Sequence, residues 1–172
     1  MSMAEKQEKD MVLSDRQDKL LMEICIKYLT QYAAMIKISR GAQGDESIGQ
    51  LKKMIREMEA YWGLSDRRDR EEQFDKTLRR AVQTRRTNQV SEEQKIAAVN
   101  GLYRYASEMV SAQGAEAADR VKEVQSVIRE LADGWDMDQE WAAHLCSLIG
   151  SMAGFKEQPL SETREESRFF KD

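Results

Sequence analysis

The stretch LLMEICIKYLTQYAAMIKI, Leu20 to Ile38, decides the fold. It is the most apolar run in the chain, yet it carries Glu23, Lys27 and Lys37. A helix that crosses a membrane needs about 20 mostly apolar residues with few charges, so this run reads as a core helix. Its apolar residues fall at Leu20, Leu21, Ile24, Cys25, Tyr28, Leu29, Tyr32, Met35 and Ile36. That is the i, i+3/i+4 spacing of a helical face. Ser14-Asp-Arg-Gln17 precedes it as a capping box, in which serine and glutamine side chains satisfy orphan amides of the first turn. The spacing predicts a first helix from Ser14 to about Ser39.

The same logic carries down the chain. Gly41–Asp45 reads as a loop, and Ser47 with Gln50 forms a second capping box. Ile48, Leu51, Met54, Ile55, Met58 and Trp62 then make one stripe, and Gly63 sits where a left-handed C-terminal residue belongs. Ser65 or Asp66 opens a third helix with Phe74, Leu78 and Val82 facing inward. Ser91 and Gln94 form a third box, followed by Ile96, Val99, Leu102, Tyr103, Ala106, Met109 and Val110. A fifth helix from Ala115 to Asp133 aligns Val121, Val124, Ile128 and Leu131; a sixth from Asp138 to Phe155 aligns Trp141, Leu145, Leu148, Ile149 and Met152. Short connections favour antiparallel neighbours. The expectation is an all-α, single-domain bundle of five or six antiparallel helices over residues 14–155. A flexible lead-in at 1–13 and a charged tail at 156–172 flank it, and no internal repeat stands out.

Composition agrees. The 172 residues are 34% charged and 41% hydrophobic, with one proline and nine glycines to interrupt helices. Few aromatic or β-branched residues argue against a sheet. The N-terminus, MSMAEKQEKD, lacks the apolar segment of a signal peptide, so a cytoplasmic location is expected. Cys25 and Cys146 lie far apart in sequence and read as buried reduced thiols. The net charge of −4 hides an asymmetry, +3 over residues 1–90 and −7 over 91–172. The acidic second part would repel a phosphate backbone.

Motifs for chemistry are sparse. His144 is the sole histidine, so a two-histidine metal site cannot be assembled, and Cys146, two residues on along the same helix, points to a different face and is no nucleophile for it. No catalytic residue, metal ligand or cofactor is expected. Asp133-Gly-Trp-Asp-Met-Asp-Gln-Glu140 lacks calcium-loop spacing and reads as a glycine C-cap followed by an aspartate N-cap. It resembles the helix-to-helix junction of tellurite-resistance TerB-type helical domains, and Asn88–Glu93 echoes it. The resemblance covers these two short segments, and no activity or site follows from it.

The segment Asp69–Arg86, DREEQFDKTLRRAVQTRR, opens acidic and closes basic. Glu72 precedes Lys76 by four residues and Asp75 precedes Arg79 by four, the orientation that stabilises a helix by about 0.2–0.5 kcal/mol per pair. Arg80, Arg85 and Arg86 are left without a local acid. Three free bases fall short of the roughly 6–10 phosphate contacts of a non-specific DNA binder. The expected function is a non-enzymatic helical protein-interaction or regulatory module that binds another protein or a second copy of itself. Its candidate contact residues are Arg79, Arg80, Arg85, Arg86, Trp62, Trp135, Phe169 and Phe170. Two alternatives stand beside it: a nucleic-acid-associated protein using the Arg79–Arg86 face, and an acidic inhibitor or immunity-type protein. No membrane partner is expected.

Overall fold

The computed structural model describes the backbone of residues 3–64 and 67–154 and the side chains of 16–64 and 70–154. The fold is all-α: six α-helices and two 3-10 turns, with no strand among the described residues. Helix α1 spans Met3–Arg40, α2 Asp45–Trp62, α3 Arg67–Thr84, α4 Glu92–Gln113, α5 Ala118–Gly134 and α6 Gln139–Met152. The four long ones, α1 to α4, contain 38, 18, 18 and 22 residues. The 3-10 turns, Gly41–Gly44 and Gly114–Ala117, join α1 to α2 and α4 to α5.

Helix starts differ from the sequence expectation where a good cap lies inside a good helix. Helix α1 begins at Met3 and runs through Ser14, because no proline or glycine lies upstream to stop it and Ala4, Glu5, Lys6 and Gln7 are strong helix formers. Ser47 likewise falls inside α2, which begins at Asp45 beside a 2.9 Å ion pair from Asp45 to Lys37. The box at Ser91 forms as expected: Gln94 N donates to Ser91 Oγ at 3.2 Å, and Ser91 N donates to Gln94 Oε1 at 2.9 Å. Leu20, Val82, Ile96, Leu148 and Met152, expected on the inner faces, are exposed. Each lies at the margin of its stripe, where a small rotation of the helix takes a side chain out of the core.

The chain divides into two compact units, Met1–Gly101 and Leu102–Asp172. The division falls inside α4, so no linker composition marks it. In the first unit, α2 is antiparallel to both neighbours. Lys37 meets Asp45 at one end of the α1–α2 pair, and Arg70 reaches Glu23 and Glu59 at the other. Lys52 meets Asp75 at 2.9 Å, and Arg56 pairs with Glu71. Helix α1 is enclosed on several sides, with Met22, Cys25, Leu29, Tyr32, Ala33 and Ile36 fully buried. Gly101 of α4 lies so close to α1 that a Cβ there would stand 2.6 Å from Cys25 Cβ. The Cys25 thiol donates to Ala98 O at 3.1 Å. In the second unit, α5 and α6 are joined by Gln125 Nε2, which donates to Cys146 O at 2.8 Å. Both cysteines are buried free thiols.

The structure also exposes an internal repeat that the sequence reading does not count. Cys25 and Ala98 are 73 residues apart, and a long series of buried residues keeps that interval. Leu29 matches Leu102, Tyr32 matches Tyr105, Ile48 matches Val121, Ile55 matches Ile128, Met58 matches Leu131 and Trp62 matches Trp135. The left-handed positions keep it too: Gly41 and Gly114 open the two 3-10 turns, and Gly63 and Asp136 close α2 and α5. Helix, 3-10 turn, helix, left-handed turn, helix is thus built twice. The signal is faint in sequence because the identical pairs, such as Tyr32 with Tyr105 and Trp62 with Trp135, are few and widely spaced.

Candidate functional site

Helix α3 carries the features that bear on function. Its inner face is set by Phe74 and Ala81, both buried, with Leu78 half-buried. One flank opens onto a cleft and the other presents bases to solvent.

The cleft lies between α1, α2 and α3, within the first unit, and has a volume of about 330 Å³. Its apolar wall is Ile26, Ile55 and Phe74, all buried. Its polar wall is a charged triad. Arg70 Nη2 lies 3.1 Å from Glu23 Oε1, and Arg70 Nε lies 3.3 Å from Glu59 Oε2. The second contact is an ion pair by distance only, since Glu59 Oε2 receives no hydrogen bond. Thr30 and Thr77 also line the cleft, but each hydroxyl donates to its own helix, to Ile26 O and Gln73 O at 2.8 Å. Glu59 is 7% exposed, and no other buried residue among those described is charged. Burial pushes its carboxyl above the usual carboxylate range, against the opposing pull of Arg70 and then Arg56. It sits in the apolar stripe of α2, four residues after Ile55 and three before Trp62, which is where a sequence reading should have stopped.

The other flank of α3 overturns an expected neutralisation. Asp75, expected to pair with Arg79, instead meets Lys52 of α2 at 2.9 Å. Glu71 is likewise drawn to Arg56 and lies 3.7 Å from Lys52. Interhelical pairs win because the acids and the α2 bases both lie in the partly shielded seam, where charges are screened less than at the surface. Lys76, Arg79 and Arg80 are left exposed beside a shallow groove on α3. Arg85 and Arg86 follow, also exposed. Among the described residues no acid is paired with Arg79, Arg80, Arg85 or Arg86. Arg85 takes a left-handed conformation, φ 55°, and so ends the helix as a glycine usually would.

Trp62 and Trp135, expected as candidate contact residues, are buried. The turn after each explains this. Gly63, at φ 60°, lets Leu64 N donate back to Glu59 O at 2.9 Å, and Asp136, at φ 54°, lets Met137 N donate to Ala132 O at 2.8 Å. These are Schellman turns, which fold the following apolar residue over the helix end. Leu64 and Met137 are accordingly buried. The expected glycine cap at Gly134 moves two residues on, to Asp136, while Asp138 caps α6 as expected, accepting from Glu140 N and Trp141 N. Phe169 and Phe170 lie outside the described residues.

His144 is exposed on α6. Cys146 is buried, and that burial raises its thiol pKa against the pull of Arg129, which disfavours the thiolate. Among the described residues, no group of three His, Cys, Asp or Glu side chains is gathered as a metal ion would need. No described helix is long and apolar enough to cross a membrane. Comparison with protein-family models, with curated proteins and with solved structures finds no match.

Proposed function

We propose that the chain is a non-enzymatic protein-interaction or regulatory module that docks an acidic protein surface onto the basic flank of α3. One observation carries this reading: Asp75 is engaged by Lys52, so Arg79 and Arg80 stand exposed with no acid of their own helix paired to them. Arginine suits such a surface, because its planar guanidinium binds carboxylates in a bidentate fork. Lys76, Arg79, Arg80, Arg85 and Arg86 together make a short basic strip at one end of one helix. That is compact enough for an acidic protein patch and short of the roughly 6–10 phosphate contacts used along a duplex.

The test is capture of partners by the wild-type chain and by a variant with Arg79, Arg80, Arg85 and Arg86 all changed to Glu. An acidic protein retained by the first, released by salt and lost from the second supports the reading. Equal capture by both chains overturns it. Binding of the wild type to a random DNA or RNA oligomer near 0.15 M salt, with a steep loss on adding salt, would transfer the strip to the nucleic-acid alternative.

A further inference from the structure

The cleft between α1, α2 and α3 is a separate matter, on the other flank of α3. The second copy of the repeat carries no charge at the matching positions. The residue 73 positions after Glu59 is Ala132, which is fully buried. The residue 73 positions after Glu23 is Ile96. Arg70 matches Ala143 at the same interval, or buried Ala142 if α6 is shifted by one residue to bring Cys146 onto Phe74. Two of these places in the second unit, Ala132 and Ala142, are thus filled by small buried apolar residues, while Ile96 is exposed. Burying a carboxylate costs free energy, and replacing a buried ion pair with apolar residues is often neutral or stabilising. In the first unit the triad opposes a simpler core.

The triad is also unfinished. Glu23, Glu59 and Arg70 sum to one net negative charge, and Glu59 Oε2, on a residue only 7% exposed, receives no hydrogen bond. The wall beside it, Ile26, Ile55 and Phe74, is apolar. Lys27 also lines the cleft, but its residue is exposed and its Nζ lies 5.9 Å from the centroid of the Tyr28 ring. With Lys27 the charged lining is neutral, but a cleft with an unfilled acceptor on buried Glu59, a second carboxylate on Glu23 and an apolar wall has a definite complement. We propose that this cleft binds an organic monocation, an alkylammonium or alkylguanidinium group. The head meets the Glu59 and Glu23 carboxylates, and the stem lies against Ile26, Ile55 and Phe74. The volume, at the small end of ligand pockets, suits one such group. The group is carried either by a free amine or by a lysine or arginine side chain.

The experiment is a titration of the full chain, followed by amide NMR, with n-butylammonium, n-butylguanidinium, n-butanol and butyrate. Blocked lysine amide serves as the model of a side-chain source. Probes this small support a Kd of about 1 mM. The expected result is saturable shifts at the amides of Glu23, Thr30, Glu59 and Thr77 with one or both cations, and none with butanol or butyrate. Binding of blocked lysine amide as tightly as butylammonium assigns the group to a protein side chain; its exclusion assigns it to a free amine. Glu59→Gln should weaken the cation about tenfold or more, as loss of a charged hydrogen bond does. Glu59→Ala, which copies Ala132, is the second variant should the amide disturb the cleft, and it should weaken binding to the same degree. The fourfold charge reversal of the basic strip should leave the titration unchanged, which separates this site from that surface. Absence of saturable shifts with either cation, equal shifts with butanol or butyrate, or wild-type affinity in both Glu59 variants would each overturn the proposal.

Discussion

Helix α2 and helix α5 perform the same task 73 residues apart, and what they share differs in kind from what separates them. Shared are the buried tryptophan at the helix end, the left-handed residue after it and the apolar residue that folds back: Trp62, Gly63, Leu64 against Trp135, Asp136, Met137. These positions are what the packing demands. Separating them are Glu59 against Ala132, and Lys52 against Gln125, which reach Asp75 and Cys146 O respectively. The first copy is charged where the second is plain. Packing explains the common residues, and the added charges of the first copy are what the proposed recognition would use.

The largest effect should come from the shared residues. Trp62→Ala and Trp135→Ala each remove a buried indole, and each should cost about 3–5 kcal/mol in urea unfolding. The comparison predicts losses of the same order; a loss under about 1 kcal/mol in one of them would break the equivalence. Next are the closing residues of the 3-10 turns, Gly44 and Ala117, both buried. A Cβ at Gly44 would lie 2.3 Å from Ile36 Cγ2, so Gly44→Ala should cost about 1–3 kcal/mol through overpacking. Ala117→Gly should cost about 1 kcal/mol through backbone entropy. A neutral Gly44→Ala would show that the first turn tolerates the second turn's residue after all.

Glu59 tests the difference between the copies. Its folded-state pKa is raised, so the stability it contributes is complete below the ordinary carboxylate value and is lost as pH rises through the raised one. Glu59→Gln should therefore match the wild type in acid and become the more stable protein towards neutral pH, by on the order of 1 kcal/mol. A gap that does not widen between pH 4 and 7, measured by thermal unfolding, would contradict the raised pKa. The smallest effect is expected at the left-handed turn. Asp136→Gly should stabilise by up to about 1 kcal/mol, and Gly63→Asp should destabilise by a similar amount, because only glycine enters this conformation without cost.

Much of this was legible in the sequence. The apolar spacing along Leu20–Ile38, the Trp62-Gly63 ending, the Ser91 box and the Asp138 cap all report local physics, and local physics is what a linear reading senses. The extension of α1 to Met3 was legible in principle, since nothing between Met3 and Ser14 stops a helix. The repeat was partly so: Tyr32 with Tyr105, Gly41 with Gly114 and Trp62 with Trp135 share one interval. The site was less so. Asp75 has a good partner four residues along its own helix, and only the antiparallel packing of α2 places Lys52 in competition. Glu59 could be flagged as an acid in an apolar stripe, but Arg70 and Glu23 come from other helices. Left-handed Asp136 was hidden by Gly134, a residue better suited to the role and two places too early.

The central claim is that the exposed basic strip of α3 serves recognition and not folding. The direct measurement is urea unfolding of the variant carrying Arg79→Glu, Arg80→Glu, Arg85→Glu and Arg86→Glu, run beside capture of the acidic partner. The account predicts a stability within about 0.5 kcal/mol of wild type and complete loss of capture. A stability loss of more than about 2 kcal/mol with capture intact would contradict it.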